Sequence, residues 1–406
     1  MRRSFIACIS VVFLLATCFL NVGFTARAMS QPQSHCKGWT SIPGPNPSQY
    51  DSGLSSVTAS TANDVWAVGG YQDDQSGAGE TLTAQWNGTS WNVVPSQNPG
   101  IEYNGLLGVS RVPQSHLHQA WAVGYYSMTP IGPPRLDLTL IEQWNGTTWK
   151  VVPSPNVDPG VEQNDLYGVA AISAKDVWAV GTHSANGQNY YETLIEHWDG
   201  TQWSIIPSPN AGSRKNFLYS VAAISSNNVW AAGYYFPDFG STYQTLVEHW
   251  DGTTWSVIPS PSPGSSDNRL ASITSIQGSN ELWAVGYYTD MYTPDQTLIE
   301  QWNGSAWSVV SSPNLGSGTN ALTGVASISK SDAWAVGYDS VNNSPFQTLI
   351  LHWNGTKWQV VPSPNPGPQH NVLFAVTHVP GTTQAWTVGD SFTDQGLQQT
   401  LTAFHC

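Results

Sequence analysis

Seven copies of a Trp-Ala-Val-Gly string or a near variant, six copies of a Trp-Asn-Gly or Trp-Asp-Gly turn, and a last repeat that stops one strand short predict an all-β chain. The expected architecture is a seven-bladed β-propeller with four antiparallel strands per blade, its ring closed by the N-terminal strand completing blade 7.

The first string carries Trp66, Trp121, Trp178, Trp230, Trp283, Trp334 and Trp386, spaced 51 to 57 residues apart. The second begins at Trp86, Trp144, Trp198, Trp250, Trp302 and Trp353 and ends five residues later at Trp91, Trp149, Trp203, Trp255, Trp307 and Trp358. The third repeat shows how each unit divides into strands. Residues 166–173 (LYGVAAIS) are small and apolar, as a crowded ring centre requires, and Ala174-Lys175-Asp176 forms a turn. Residues 177–181 (VWAVG) and 192–198 (ETLIEHW) make the second and third strands, and 203–207 (WSIIP) the fourth. Asp199-Gly200 tolerates positive φ, so a two-residue type I′ hairpin is expected there, with its two Trp residues diagonal on one face. Such a four-stranded sheet cannot bury both faces alone, so units must stack.

An open solenoid would also satisfy that stacking, and the chain ends decide against it. The last repeat supplies only a third strand, 399–406 (QTLTAFHC), while 36–46 (CKGWTSIPGPN) matches 203–210 (WSIIPSPN) in type and order. The N-terminus thus provides the missing strand and removes the open edge. In this alignment Cys406 takes the Asn position of the turn and Cys36 the Gly position, so a disulfide replaces the hairpin. All 20 Trp then occupy repeat positions, and His405 stands where a further one would fall.

Basic Met1-Arg2-Arg3, an apolar run to Phe24 and Ala26-Arg27-Ala28 read as a secretory signal over 1–28, followed by a short linker, 29–35, and the propeller, 36–406. An uncleaved anchor and a lipoprotein box ending at Cys18 are the alternatives. Cleavage removes Cys8 and Cys18 and leaves one cysteine pair in an oxidising compartment. It also leaves 10 basic against 27 acidic residues, a net charge of −17, which argues against nucleic acid and anionic membrane as partners. No later segment is long and apolar enough to span a bilayer. A monomer outside the cell or at its surface is expected.

Asp176-Val177-Trp178-Ala179-Val180-Gly181 and Trp250-Asp251-Gly252-Thr253-Thr254-Trp255 resemble the repeats of secreted bacterial tandem-repeat β-propellers, related in style to kelch and Asp-box repeats and including lectin-like members. The resemblance runs from about residue 36 to the end. It departs from kelch in having one Gly-Gly doublet, Gly69-Gly70, and from the Asp-box in that Asp199 and Asp251 adjoin their glycines. It implies the fold, and it favours glycan binding between blades.

Catalytic chemistry is hard to place. Arg111, Arg135, Arg214 and Arg269 fall in four repeats at no shared position, so the converging arginines of a sialidase-like site are missing. Glu142, Glu196, Glu248 and Glu300 are repeat-equivalent, whereas paired catalytic acids need different environments. His197, His249 and His352 also share one repeat position, which separates them around the fold and yields no metal trio. Asn104, Asn164, Asn216, Asn268, Asn320 and Asn371 either line a channel mouth or bond local backbone.

Recognition is expected in the variable loops between second and third strands. The candidate ligand-binding residues are Tyr126, Tyr191, Tyr235, Phe236, Asp238, Tyr288, Asp290, Tyr292 and Asp339. Rings of this kind stack on sugars or anchor proteins, and the acids accept hydroxyl hydrogen bonds or bind Ca²⁺. No cofactor is called for. The expectation is a non-catalytic binding module for a polysaccharide or glycoconjugate. The alternatives are a polysaccharide hydrolase or lyase and a scaffold for an extracellular protein.

Overall fold

The computed structural model describes residues 38–129, 136–159, 163–185, 190–238, 242–341 and 344–406. The signal, the linker and Cys36 lie outside them. The described residues form 28 strands and no helix, and none of them belongs to a helix long and apolar enough to cross a membrane.

Six four-stranded antiparallel units occupy 52–93, 103–151, 164–205, 215–257, 267–309 and 320–361. In the third, the strands are Asn164–Ser173, Asp176–Ala185, Tyr190–Trp198 and Trp203–Ile205. The seventh unit is built from Asn371–His378, Ala385–Phe392, Gln398–His405 and the N-terminal strand Trp39–Pro43, which pairs Trp39 with His405 and Pro43 with Leu401. Among the described residues the hydrogen-bonded sheets number five and do not close on one another: three hold four strands and two hold eight. Each eight-stranded sheet joins two units through a single parallel pairing, Gly79 with Tyr103 in one and Tyr191 with Lys215 in the other.

Beyond these isolated backbone contacts, side chains join the units. Trp66 packs on Trp144 and Trp149 of the next unit, with ring centroids 4.7 and 5.1 Å away. The same wedge recurs for Trp121, Trp178, Trp230 and Trp283 on the following pairs. Trp334 lies 4.6 Å from His405 and 5.2 Å from Trp39, and Trp386 lies 4.8 Å from Trp86 and 5.3 Å from Trp91 of the first unit. The first strands of all seven units line one cavity of about 480 Å³.

The hairpin differs from expectation. Trp198 pairs directly with Trp203, so the connection spans four residues, 199–202, and the indoles face each other at 6.0 Å rather than diagonally. Gly200 alone takes positive φ (95°). The Asp199 Oδ1 accepts the backbone N–H groups of Thr201 and Gln202 at 2.7 and 2.9 Å. This side-chain turn holds Asp199 in an ordinary conformation and moves the bend one residue onward.

A second clasp follows the fourth strand. Asn210 Oδ1 accepts the Thr193 N–H at 2.9 Å, and Asn98, Asn156, Asn314 and Asn365 repeat the contact. Asn46, from the N-terminal strand's own tail, does the same for Thr400 at 2.8 Å. The six equivalent asparagines before the first strands bond backbone, as Asn216 does by accepting from Gly212 N–H at 2.7 Å and donating to the Gly212 and Tyr191 carbonyls. They form no open polar ring.

Glu142, Glu196, Glu248 and Glu300 are completely buried, one in each of four units. The Glu196 and Glu248 carboxyls find no hydrogen-bond partner, and burial holds both well above the usual carboxylate range. Burial also pushes Glu142 and Glu300 up to about 8, with slight opposition from the Gln97 backbone and the Ser260 hydroxyl. The folded chain therefore binds these protons more tightly than the unfolded chain, whose glutamates titrate near 4.5. Their stabilising effect is complete below that value and is lost as pH rises through about 8. A variant carrying Glu142→Gln, Glu196→Gln, Glu248→Gln and Glu300→Gln should lose this slope. Calorimetric melting from pH 5 to 8 should show wild type falling relative to the variant, and parallel profiles would contradict the assignment.

Candidate functional site

The repeats diverge most at a position that the backbone holds constant. In every unit the first strand bulges just after its leading Leu, and the residue before that Leu pairs with the residue after the second strand's Gly. The glycine is obligatory: a Cβ on Gly181 would lie 1.9 Å from the Asp165 carbonyl oxygen. The seven resulting pairs are Gly53 with Gly70, Gly105 with Tyr125, Asp165 with Thr182, Phe217 with Tyr234, Arg269 with Tyr287, Ala321 with Tyr338, and Val372 with Asp390.

Around the third to fifth units these positions build an aromatic cluster. Tyr167 stacks on Tyr219 at 4.8 Å, and both line the 480 Å³ cavity. Tyr219 stacks in turn on Tyr234 at 5.5 Å, their hydroxyls 3.2 Å apart, and Phe217 sits 5.1 Å from Tyr234. The Arg269 guanidinium lies 4.7 Å from the Tyr234 ring centre, 4.5 Å from Tyr243 and 5.7 Å from Tyr287. It pairs with Asp267 at 3.2 Å, while its Nε is buried without a partner. The rings are half-buried and stacked on one another, so the cluster brings aromatic rings, hydroxyls and one cation together.

The nine residues singled out from sequence are not gathered into one cleft. Tyr126, Tyr235 and Tyr288 point the other way along their strands and pack against the apolar cores between units. Tyr191 and Phe236 touch the edge of the cluster, 5.1 Å from Phe217 and 5.1 Å from Tyr243. Asp238 accepts from the Ser213 hydroxyl, and Asp290 accepts the Ser265 N–H, so both pin loops. Asp339 is buried, which raises its pKa. Tyr292 is 97% exposed with φ of 69° and stands apart. The signal that separates the two groups is parity: the tyrosine directly after the glycine joins the cluster, and its neighbour joins the core.

The repeated histidines are held structurally. His197 and His352 bond Asp176 and Asp332, and His249 bonds Asn228, each at 2.9 Å. Each also lies over the Trp of its own second strand. Among the described residues no group of three or more His, Cys, Asp or Glu is placed to hold a metal ion.

Burial raises Tyr167 and Tyr219 far above the usual phenol range, aided by the Asp165 carboxylate for the first and by Tyr234 for the second, and burial, moderated by Arg269, pushes Tyr287 up to about 12. Ultraviolet titration of the native protein should therefore leave a fraction of its 16 tyrosines un-ionised at pH 11. Denaturant should release them, and full native ionisation at that pH would contradict the packing.

No family model matches the chain, and no curated protein matches it. Solved structures share its fold. YCF48 bound to a D1 peptide aligns with a TM-score of 0.51 and 13% identity over 91% of this chain and 96% of that one. A protein of unknown function from Dyadobacter fermentans DSM 18053 gives 0.51 and 10% over 91% and 98%. The polysaccharide lyase PL25, an ulvan lyase, gives 0.51 and 8% over 87% and 94%. At these identities the likeness concerns architecture alone: the chain has the repeated four-stranded sheets of β-propeller-like proteins.

Proposed function

We propose that the seven units are the blades of one closed propeller, exported after loss of residues 1–28 and sealed by a Cys36–Cys406 disulfide. Three observations support closure. The first strands of all seven units line one cavity, Trp386 of the last unit wedges into the first, and Trp39 pairs with His405 beside Cys406. A covalent tie across so long a loop restricts the unfolded chain strongly. Cys36→Ser should lower the melting temperature by several degrees, as should strong reductant. An unchanged midpoint with reduction verified by mass would overturn the sealing role.

We further propose that this propeller is a non-catalytic carbohydrate-binding module whose ligand platform is the Tyr167–Tyr219–Tyr234–Arg269 cluster. The observation that carries the reading is the continuous run of half-buried tyrosine faces ending on a guanidinium. Ring faces suit the apolar side of a pyranose, and the hydroxyls and Arg269 suit its hydroxyls or a uronate carboxylate. The PL25 ulvan lyase has been seen bound to -[GlcA(1-4)Rha3S]-, with this chain aligning at a TM-score of 0.50. YCF48 has been seen with a peptide, which keeps a protein partner as the competing reading.

A glycan array covering neutral and uronic polysaccharides should give binders whose affinity falls about tenfold in Tyr234→Ala and Tyr219→Ala proteins that keep their far-ultraviolet dichroism. Recovery of intact oligosaccharide is expected. Shortened or unsaturated products would favour a hydrolase or lyase, and silence across the array would overturn carbohydrate binding.

A further inference from the structure

A second feature lies on the opposite side of the same symmetry break. Of the seven equivalent cross-strand pairs among the described residues, only Gly53 with Gly70 lacks a side chain on both strands. Where four of the other six units place tyrosine, the first unit leaves a cavity of about 460 Å³. Its walls carry the rings of Tyr71, Tyr103 and Tyr125 and the carboxyls of Asp51, Glu80 and Asp390, and no Lys, Arg or His lines it.

The acids are fixed in place. The Asp390 Oδ1 accepts the Leu54 N–H at 3.1 Å, and its other oxygen accepts from the Gln398 side chain. Glu80 accepts the Tyr71 hydroxyl at 2.6 Å, and Asp51 accepts the Gln398 N–H at 2.9 Å. Independently of these acids, the cavity holds an unsatisfied polar group. Ser52 occupies the position at which the other six units set a backbone-bonded asparagine; it is 1% exposed, lines the cavity, and its hydroxyl has no partner. A buried hydroxyl left without a hydrogen bond is costly unless a ligand supplies one.

We propose that this cavity binds the ammonium group of a 2-amino-2-deoxy sugar within a glycan. The assignment rests on the reading of the chain as a carbohydrate binder. The ammonium donates to Asp390 and Glu80, the pyranose lies against the tyrosine rings, and Ser52 meets a ring hydroxyl. Bare glycine backbone at Gly53 and Gly70 gives the sugar room to approach. Burial, opposed by the Leu54 and Gln398 hydrogen bonds, lifts Asp390 to about 7, so it is partly protonated at neutral pH and a cation bound beside it draws it toward the ionised form.

Isothermal titration with glucosamine oligomers, fully N-acetylated oligomers, neutral cello-oligomers and a lysine-bearing peptide tests the idea. Glucosamine oligomers should bind, and acetylation should weaken them at least tenfold. Gly70→Tyr installs the residue found at this position in four other units, its Cβ 3.3 Å from the Glu80 carbonyl oxygen, and should abolish binding while the fold is retained, as checked by far-ultraviolet dichroism. Asp390→Asn, which keeps an acceptor for Leu54, should weaken binding at least tenfold. Equal binding of acetylated and free-amine oligomers, or indifference to Gly70→Tyr, would overturn the amine site while leaving carbohydrate binding intact. Binding of the peptide with none of the sugars would overturn both.

Discussion

The interlocking of tryptophans between neighbouring units is the interaction on which everything else rests. Each second-strand indole is wedged edge-on into the hairpin Trp pair of the unit that follows, or for Trp334 into Trp39 and His405, at 5.1 to 5.9 Å for the edge-to-face partner. An aromatic pair of this geometry adds about 0.5–1.5 kcal/mol beyond burial, and burial of an indole is itself a large apolar contribution. Seven such wedges recur around the units, whereas the separate sheets share isolated backbone bonds such as Asn320 N–H to the Asp295 carbonyl and Asn371 N–H to the Phe346 carbonyl, each 2.8 Å. The last two involve the first and final strands, so the chain termini are held by the same contact that holds every internal joint.

Around that apolar joint the repeat places polar groups in two different ways. The asparagine clasps and the His–Asp pairs are satisfied, each by a partner within its own unit or strand tail. The four buried glutamates are not, and they stand where Ala84, Leu351 and Ala403 serve in the other units. A position that accepts alanine, leucine and glutamate alike is one where the joint tolerates polarity rather than needs it. A neutral carboxyl of glutamate fills the space at modest expense, whereas its ionised form would be severely desolvated.

Much of the architecture was legible because it is periodic: tryptophan spacing marked the units, and the match of 36–46 to 203–210 placed the N-terminal strand in the last one. The turn was misjudged because Asn-Gly and Asp-Gly carry two competing preferences. Positive φ at both residues gives a tight hairpin, but the Asx side-chain oxygen can instead accept the N–H groups two and three residues on, past the glycine, and six times it does so. The site was only half legible for a related reason. In Tyr234-Tyr235 or Tyr287-Tyr288 composition is identical at both positions, and only the register after Gly233 and Gly286 says which ring faces the Arg269 cluster.

That register also explains how one repeat can host different chemistries without disturbing its neighbours. The obligatory glycine and the bulge opposite it fix the backbone, so the side chain that follows projects from an invariant frame. Changing it from tyrosine to aspartate at Asp390, or deleting it at Gly70, leaves the tryptophan wedge of the same unit in place, since Trp386 and Trp66 lie on the far side of the second strand's glycine. The joint between units and the variable side chain thus occupy separate positions of a single strand. The second position varies, as Gly70, Tyr125, Thr182 and Asp390 show, while the first stays tryptophan in all seven units.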